Sequence, residues 1–510
     1  RHPASTCPAD EMSSYSLADE TALLDDEFVA TDDPVLYQSS DEYQYVGSSP
    51  LERMASQHSE VSSETDTLLP INVVRESAIK RHGKTSTIGA TFNIVAATVG
   101  AGILSLPGGV ASFGWIAVLV VLFITVSASH TAKLLIRCMH LTPGKRLNTY
   151  RDIGEAALGK AGGIMTLVIQ CITLFGVCTI FLILIGGNMS AVIPQLTFHD
   201  FVLIAGILLI PITWLKTLRE VAFLSYFGVC ASIFCALVVI ALGLQYAIDD
   251  TPPYQIVSSA AGFFQAFNVI VFSYGGHSVL PTVENDMRHP KRFPFAINCA
   301  FGVITSVYFT VASVGYAGWG QTMQGGGGNV LNYASASCDG CVIVSIAYVV
   351  ISLHVFLAIP VPLNPLNLYL EHALNFHLME PLRETISRIL LRTFVLLSII
   401  AVAMAVPFFG DFLSLISAIS TIAMVFVLPI LFYVILARRN NVSIPIYHMA
   451  FIGFLFVFGV FASIVGLYVS VRSLGCDFAT QNPYVNFFVP ASTAADSMNI
   501  APAKNSTWCF

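Results

Sequence analysis

Between Ile88 and Val471 the chain is a succession of eleven apolar stretches, near 88–112, 115–138, 161–187, 201–216, 219–247, 258–281, 294–317, 341–369, 389–408, 411–437 and 446–471. A hydrocarbon core about 30 Å thick takes roughly 20 apolar residues as a helix. In lipid the backbone must satisfy its own amides, so helices are what such stretches become. The expected fold is an all-α polytopic membrane protein with eleven transmembrane helices. Merging the fourth and fifth stretches would give ten, but the Lys216–Glu220 cluster, KTLRE, argues for a turn between them. With 55% hydrophobic and 11% charged residues, the chain is too apolar for a soluble multidomain enzyme. No catalytic cluster stands in the loops, so no enzyme activity, cofactor, metal centre or nucleic-acid partner is expected.

The net charge of −7 is unevenly spread, because 15 of the 31 acidic residues fall in the first 74 positions, against Arg1 and Arg53 alone. That composition predicts a disordered acidic tail over 1–84, ahead of a transmembrane domain over 85–473 and a tail over 474–510. No apolar h-region precedes the first span, which is therefore expected to direct insertion itself. Lys and Arg alternate between loops. They precede the first span (Arg75, Lys80, Arg81, Lys84) and recur between spans 2 and 3, 4 and 5, 6 and 7, 8 and 9, and 10 and 11, and are missing from the intervening loops. The excess of these residues in cytoplasmic loops puts the N-terminus in the cytoplasm and the C-terminal tail on the other side.

Two of the spans are interrupted. VGAGILSLP, Val99 to Pro107, places Gly100, Gly102 and Pro107 inside the first, and FNVIVFSYGGHSVLP, Phe267 to Pro281, does the same in the sixth. The second reads beside FNIVAATVGAGILSLP, Phe92 to Pro107: both open Phe-Asn, both end Gly-x-x-x-Leu-Pro, and one extra residue separates them. Taken singly, such glycines serve close helix packing. Two Gly-plus-Pro breaks five spans apart favour a transporter of two inverted five-helix repeats plus one extra helix. Unwound backbone and half-helix N-termini then face an anionic group such as a carboxylate.

The stretch FSYGGHSVLPTVENDMRHPKRF, Phe272 to Phe293, resembles the signature of the amino acid/auxin permease family at Phe272, Gly276, His277, Leu280, Pro281, Met287, Pro290 and Phe293, and GAGILSLP resembles the same family's first helix. That family includes vacuolar, vesicular inhibitory, proton-coupled and sodium-coupled neutral amino acid transporters. The resemblance implies the eleven-helix, five-plus-five fold and secondary active transport of amino acids by alternating access. It also implies that substrate carboxylate and amine are held by unwound backbone near Val99, Gly100, Ala101, Gly102 and Ile103 and near Ser273, Gly275 and Gly276. Phe272 and Tyr274 are candidates for the pocket wall. Side-chain selectivity is expected from spans 3, 8 and 10.

Other residues carry narrower expectations. His277, inside the second break, either carries a coupling proton or is a neutral imidazole bonding freed backbone. Glu284 either relays that proton or is a solvated residue at the cytoplasmic end. Asn93 and Asn268 read as interhelical hydrogen-bond donors. Cys338 and Cys341, in CDGC, are disulfide candidates together with Cys476 and Cys509. Gly325 to Gly328 reads as flexible loop. Asn188 and Asn505 lie in glycosylation sequons on the expected outer face, and because Asn188 stands close to a span end, Asn505 is the better candidate. DETALL (Asp19, Leu23, Leu24) and ETDTLL (Glu64, Leu68, Leu69) fit the acidic dileucine pattern read by adaptor complexes, which favours a vacuolar, lysosomal or endosomal membrane over the plasma membrane.

In sodium-coupled members of the family, the ion is held partly by an Asn in helix 1 and a Thr in helix 8. Laying FNIVAATVGAGIL and FLAIPVPLNPLN on those patterns puts Ala96 and Ala358 there. A methyl group offers no oxygen to a hard cation, so proton coupling without sodium is expected. A sodium-coupled symporter is one rival. A receptor or sensor that binds amino acid at the same site without net transport is the other.

Overall fold

The structure is a computed structural model and describes residues 83–142, 146–214, 221–249, 252–323, 328–338 and 340–481. The expected acidic tail up to residue 82, its dileucine pairs, the whole of KTLRE, Asn505 and Cys509 lie outside the described residues. Among those residues the chain is all helix, with one isolated β-bridge between Thr85 and Met287.

The helices are α1 (Thr87–Thr98), α2 (Leu106–Phe113), α3 (Ile116–His140), α4 (Tyr150–Val192), α5 (Phe198–Thr213), α6 (Val221–Asp249), α7 (Ala260–Ser273), α8 (Leu280–Asn285) and α9 (Phe293–Trp319). Then come α10 (Val330–Ser337), α11 (Val342–Ala358), α12 (Pro360–Ala373), α13 (Pro381–Ala405), α14 (Phe409–Ile416), α15 (Leu428–Arg439) and α16 (Ile446–Gln481).

Eight helical runs among the described residues are long and apolar enough to cross a membrane, and α1 with α2, bent by 51°, makes a ninth if taken as one span. The difference from eleven has a physical cause at each place. The fourth stretch forms only the 16-residue α5, about 24 Å long at 1.5 Å per residue. The sixth is divided by its Gly-Gly into α7 and the six-residue α8.

Other boundaries also shift. The third span opens at Tyr150, eleven residues before the apolar run, because Thr149 and Asp152 close a capping box that starts the helix early. Gly159, at φ 68°, kinks it before the apolar part begins. The last helix runs past Val471 to Gln481. Gly328, the described end of the glycine run, is packed close against Gly410 and Gly108, so at this end the loop is a fitted segment.

The two broken elements sit at the centre of the bundle. Helix α7 lies along α2, α9 lies along α1, α2, α3 and α6, and α14 to α15 close the remaining side against α3, α4 and α16. Large side chains such as Phe267, Tyr274, Tyr308, Tyr316 and Phe426 are fully buried between them.

Candidate functional site

The two breaks are built alike. Helix α1 ends at Thr98, Val99 is extended, a 3₁₀ turn covers Ala101–Ser105, and α2 restarts on Leu106-Pro107. Helix α7 ends at Ser273, Tyr274 and Gly275 leave the helix, a 3₁₀ turn covers Gly276–Val279, and α8 restarts on Leu280-Pro281. Proline fits both restarts, because the first turn of a helix has no intrahelical use for its N–H.

The breaks also touch each other reciprocally. A Cβ on Gly102 would stand 2.6 Å from the Ser273 hydroxyl, and one on Gly276 would stand 2.6 Å from the Thr98 hydroxyl. Thr98 and Ser273 correspond in the internal sequence match, as do Gly102 and Gly276. Each hydroxyl is turned back on its own helix in the same way, Thr98 Oγ1 donating to the Ile94 carbonyl at 2.8 Å and Ser273 Oγ to Val269 at 3.2 Å. Between the helix ends stands Tyr308 of α9, whose hydroxyl lies 3.0 Å from the Thr98 carbonyl and 2.9 Å from that of Ser273. One phenol proton thus serves two equivalent helix-end carbonyls.

Of the residues expected to hold substrate, Val99, Ala101, Gly102, Ile103 and Ser273 are buried, and Gly100, Phe272, Gly275 and Gly276 are half-buried. Tyr274 turns away from the role of free pocket wall. It is fully buried, its hydroxyl pairs with Thr125 Oγ1 at 2.7 Å, and its ring packs on Phe301 and Tyr308.

His277 is fully buried against α3, where Nε2 lies 3.2 Å from both Thr131 Oγ1 and the Ala128 carbonyl. Glu284 is not a solvated end residue. It is fully buried and held by an ion pair to Arg146 and by His140 Nε2 at 3.1 Å, so α8 is pinned to the end of α3 and the loop after it. Just beyond, Thr85 pairs with the loop after α8: its N–H donates to the Asp286 carbonyl, its own carbonyl accepts from Arg288, and its hydroxyl bonds the Asp286 carboxylate.

Asn268 donates to the Gly466 carbonyl and Ser470 hydroxyl of α16, as an interhelical donor should; Asn93 is exposed. Asn188, the weaker of the two sequon candidates, is fully buried, bonded to Ser352 and Asn329. A glycan has no room there, and its attachment would take up the amide nitrogen that bonds Ser352. Cys338 and Cys341 form a disulfide, and Cys476 is disulfide-bonded as well.

Two features escape the motif reading. A cavity of about 360 Å³ opens beside α2 and α7, lined by Ser105, Gly109, Gln265, Asp411, Arg472 and Asp477; the last two belong to the unforeseen end of α16. In addition, Ser417–Thr421 and Ala423–Val427 are π-helical turns between α14 and α15, a departure that often marks function.

The family described as "Transmembrane amino acid transporter protein" matches residues 83–472. Amino acid transporter AVT1D of Arabidopsis thaliana is 26% identical over 436 residues, covering 81% of this chain and 76% of that protein. Amino acid transporter AVT1C of Arabidopsis thaliana is 25% identical over 397 residues, covering 76% and 69%. Among solved structures, MhsT in complex with L-phenylalanine aligns with a TM-score of 0.49 at 12% identity, over 75% of this chain and 98% of that one.

Proposed function

The chain belongs to the transmembrane amino acid transporter family, and from that premise we propose that it is a secondary active transporter moving amino acids by alternating access, with substrate held between the breaks at 99–105 and 274–279. The reciprocal seating of Gly102 on Ser273 and Gly276 on Thr98 carries this reading. A contact in which each half gives the other the same pair of residues is what a two-fold relation produces. It supports eleven spans, with α1–α2 as the first, α5 as the fourth and α7–α8 as the sixth, arranged as five plus five and one more. Discontinuous helices at the repeat interface are where such transporters hold a carboxylate.

The coupling ion in this reading is the proton. His277 lies one residue past Gly276, and Ala96 and Ala358 stand where sodium-coupled members of the family supply oxygen. The N-terminus faces the cytoplasm, and an acidic organelle is the favoured site, its targeting resting on adaptor recognition of the tail. Uptake into proteoliposomes tests the whole. Saturable amino acid flux driven by a pH gradient, unchanged when choline replaces sodium, and uncoupled from pH in His277→Gln is the expected result. Binding without flux would establish the sensor reading, and collapse in choline the sodium reading.

A further inference from the structure

The second half of α3 opens outward on one face alone. From Ser127 to Met139 only Ser129, His130, Lys133 and Arg137 are not buried, and the last three share a helical stripe at spacings of three and four. Against that stripe α16 brings His448, whose Nε2 lies 3.0 Å from His130 Nε2. The charges that act on the His130 ring are those of His448, Lys133 and Arg137, all of them basic. Lys133 and Arg137 make no ion pair among the described residues. Like charges four residues apart destabilise a helix, so the stripe is a cost to the fold until an anion joins it. The excess of Lys and Arg in cytoplasmic loops does not account for it, because both residues lie inside α3, ahead of its end at His140.

The surroundings of the stripe are apolar and open. Val126, one turn before His130, and Phe451 and Phe454 of α16 are exposed, and the Phe451 ring lies 5.3 Å from that of His130. His448 stands near the start of α16 beside the exposed Tyr447, an aromatic of the kind that marks a membrane interface. We infer that His130, Lys133, Arg137 and His448 form a binding site for the phosphate of an anionic phospholipid, whose acyl chains lie over Val126 and Phe451. Arg offers phosphate a planar fork of N–H donors, and Lys a point charge on a flexible stem. Basic pockets between membrane helices on the cytoplasmic side are where such headgroups bind, and the orientation proposed above puts this end of α3 in that leaflet. A soluble phosphate ester brings the same anion but no chains to cover the apolar residues. The bound lipid ties α16, the helix outside both proposed repeats, to the second span.

Thermal unfolding of the detergent-purified full chain, titrated with dioctanoyl phosphatidic acid, tests this. Dioctanoyl phosphatidylcholine supplies the same chains without net charge, and glycerol 3-phosphate the same anion without chains. The Tm of the wild-type protein is expected to rise saturably with phosphatidic acid and with neither control. Lys133→Gln and Arg137→Gln should each raise the midpoint of that titration about fivefold, while Lys133→Arg should keep it. Lys291→Gln combined with Arg292→Gln removes two exposed cations between α8 and α9 and should leave the midpoint where it was. No rise in the wild-type protein, an equal rise with phosphatidylcholine, or a midpoint unmoved in both single glutamine variants overturns the site. An equal rise with glycerol 3-phosphate overturns the lipid and gives the stripe to a soluble phosphate ester. The readout is binding, so each of these failures leaves the transport reading standing.

Discussion

The α-carbon of Gly102 lies so close to Ser273 that a methyl group there would come within 2.6 Å of the serine hydroxyl and 3.1 Å of its Cα. Two chain segments about 170 residues apart in sequence thus meet at their weakest points, where each has left its helix. Neither break can widen without parting from the other.

The first prediction follows from that contact. Gly102→Val and Gly276→Val should insert into the membrane at near wild-type levels, because the surrounding helices bury their own faces, while uptake falls by about tenfold or more through misplaced backbone. Surface-accessible protein measured alongside initial flux checks both halves. Wild-type flux in both variants would remove the site from the breaks.

Tyr308→Phe tests the shared phenol. The substitution keeps the ring against Tyr274 but leaves the Thr98 and Ser273 carbonyls without their common donor. A loss of about 1–3 kcal/mol is expected, read as a lower Tm of the detergent-purified protein. An unchanged Tm would mean that the two carbonyls are served from elsewhere.

Glu284 and Arg146 form a pair whose side chains are 1% and 5% exposed. Glu284→Gln strands a buried guanidinium, and removing one partner of a buried pair costs about 3–5 kcal/mol. Arg146→Met combined with Glu284→Leu should regain most of that loss. Relative expression and Tm of the single and double variants separate this from a solvated glutamate, for which the single variant would be neutral.

How much of this was legible in the sequence depended on the range of the interaction. The breaks announced themselves because Gly and Pro act on their own backbone, and the membrane class followed from the apolar runs alone. The burial of Glu284 did not, since its partners His140 and Arg146 lie about 140 residues away and nothing local distinguishes a paired carboxylate from a solvated one. The burial of Asn188 was hidden for the same reason: a sequon is three residues long, whereas the bonds to Ser352 and Asn329 belong to the tertiary fold. Tyr308, an aromatic in an apolar helix, had no local mark of the two carbonyls it serves.

Location gives a fourth prediction. Deleting residues 1–70 removes both dileucine patterns and none of the described helices, so flux in proteoliposomes should be retained while the protein shifts towards the cell surface in fractionated or imaged cells. Unaltered organelle residence would dissociate the tail from sorting.

The backbone clip between Thr85 and the Asp286–Arg288 segment can finally be put as an equilibrium constant. It fastens the chain entering α1 to the chain leaving α8 through two backbone hydrogen bonds and one side-chain bond. If opening of this face separates those two segments, all three are lost together. At about 1 kcal/mol net apiece, they multiply the ratio of closed to open molecules by roughly two orders of magnitude. A substitution at Thr85 then shifts occupancy without touching the substrate, changing how often the face opens and leaving what it binds unaltered.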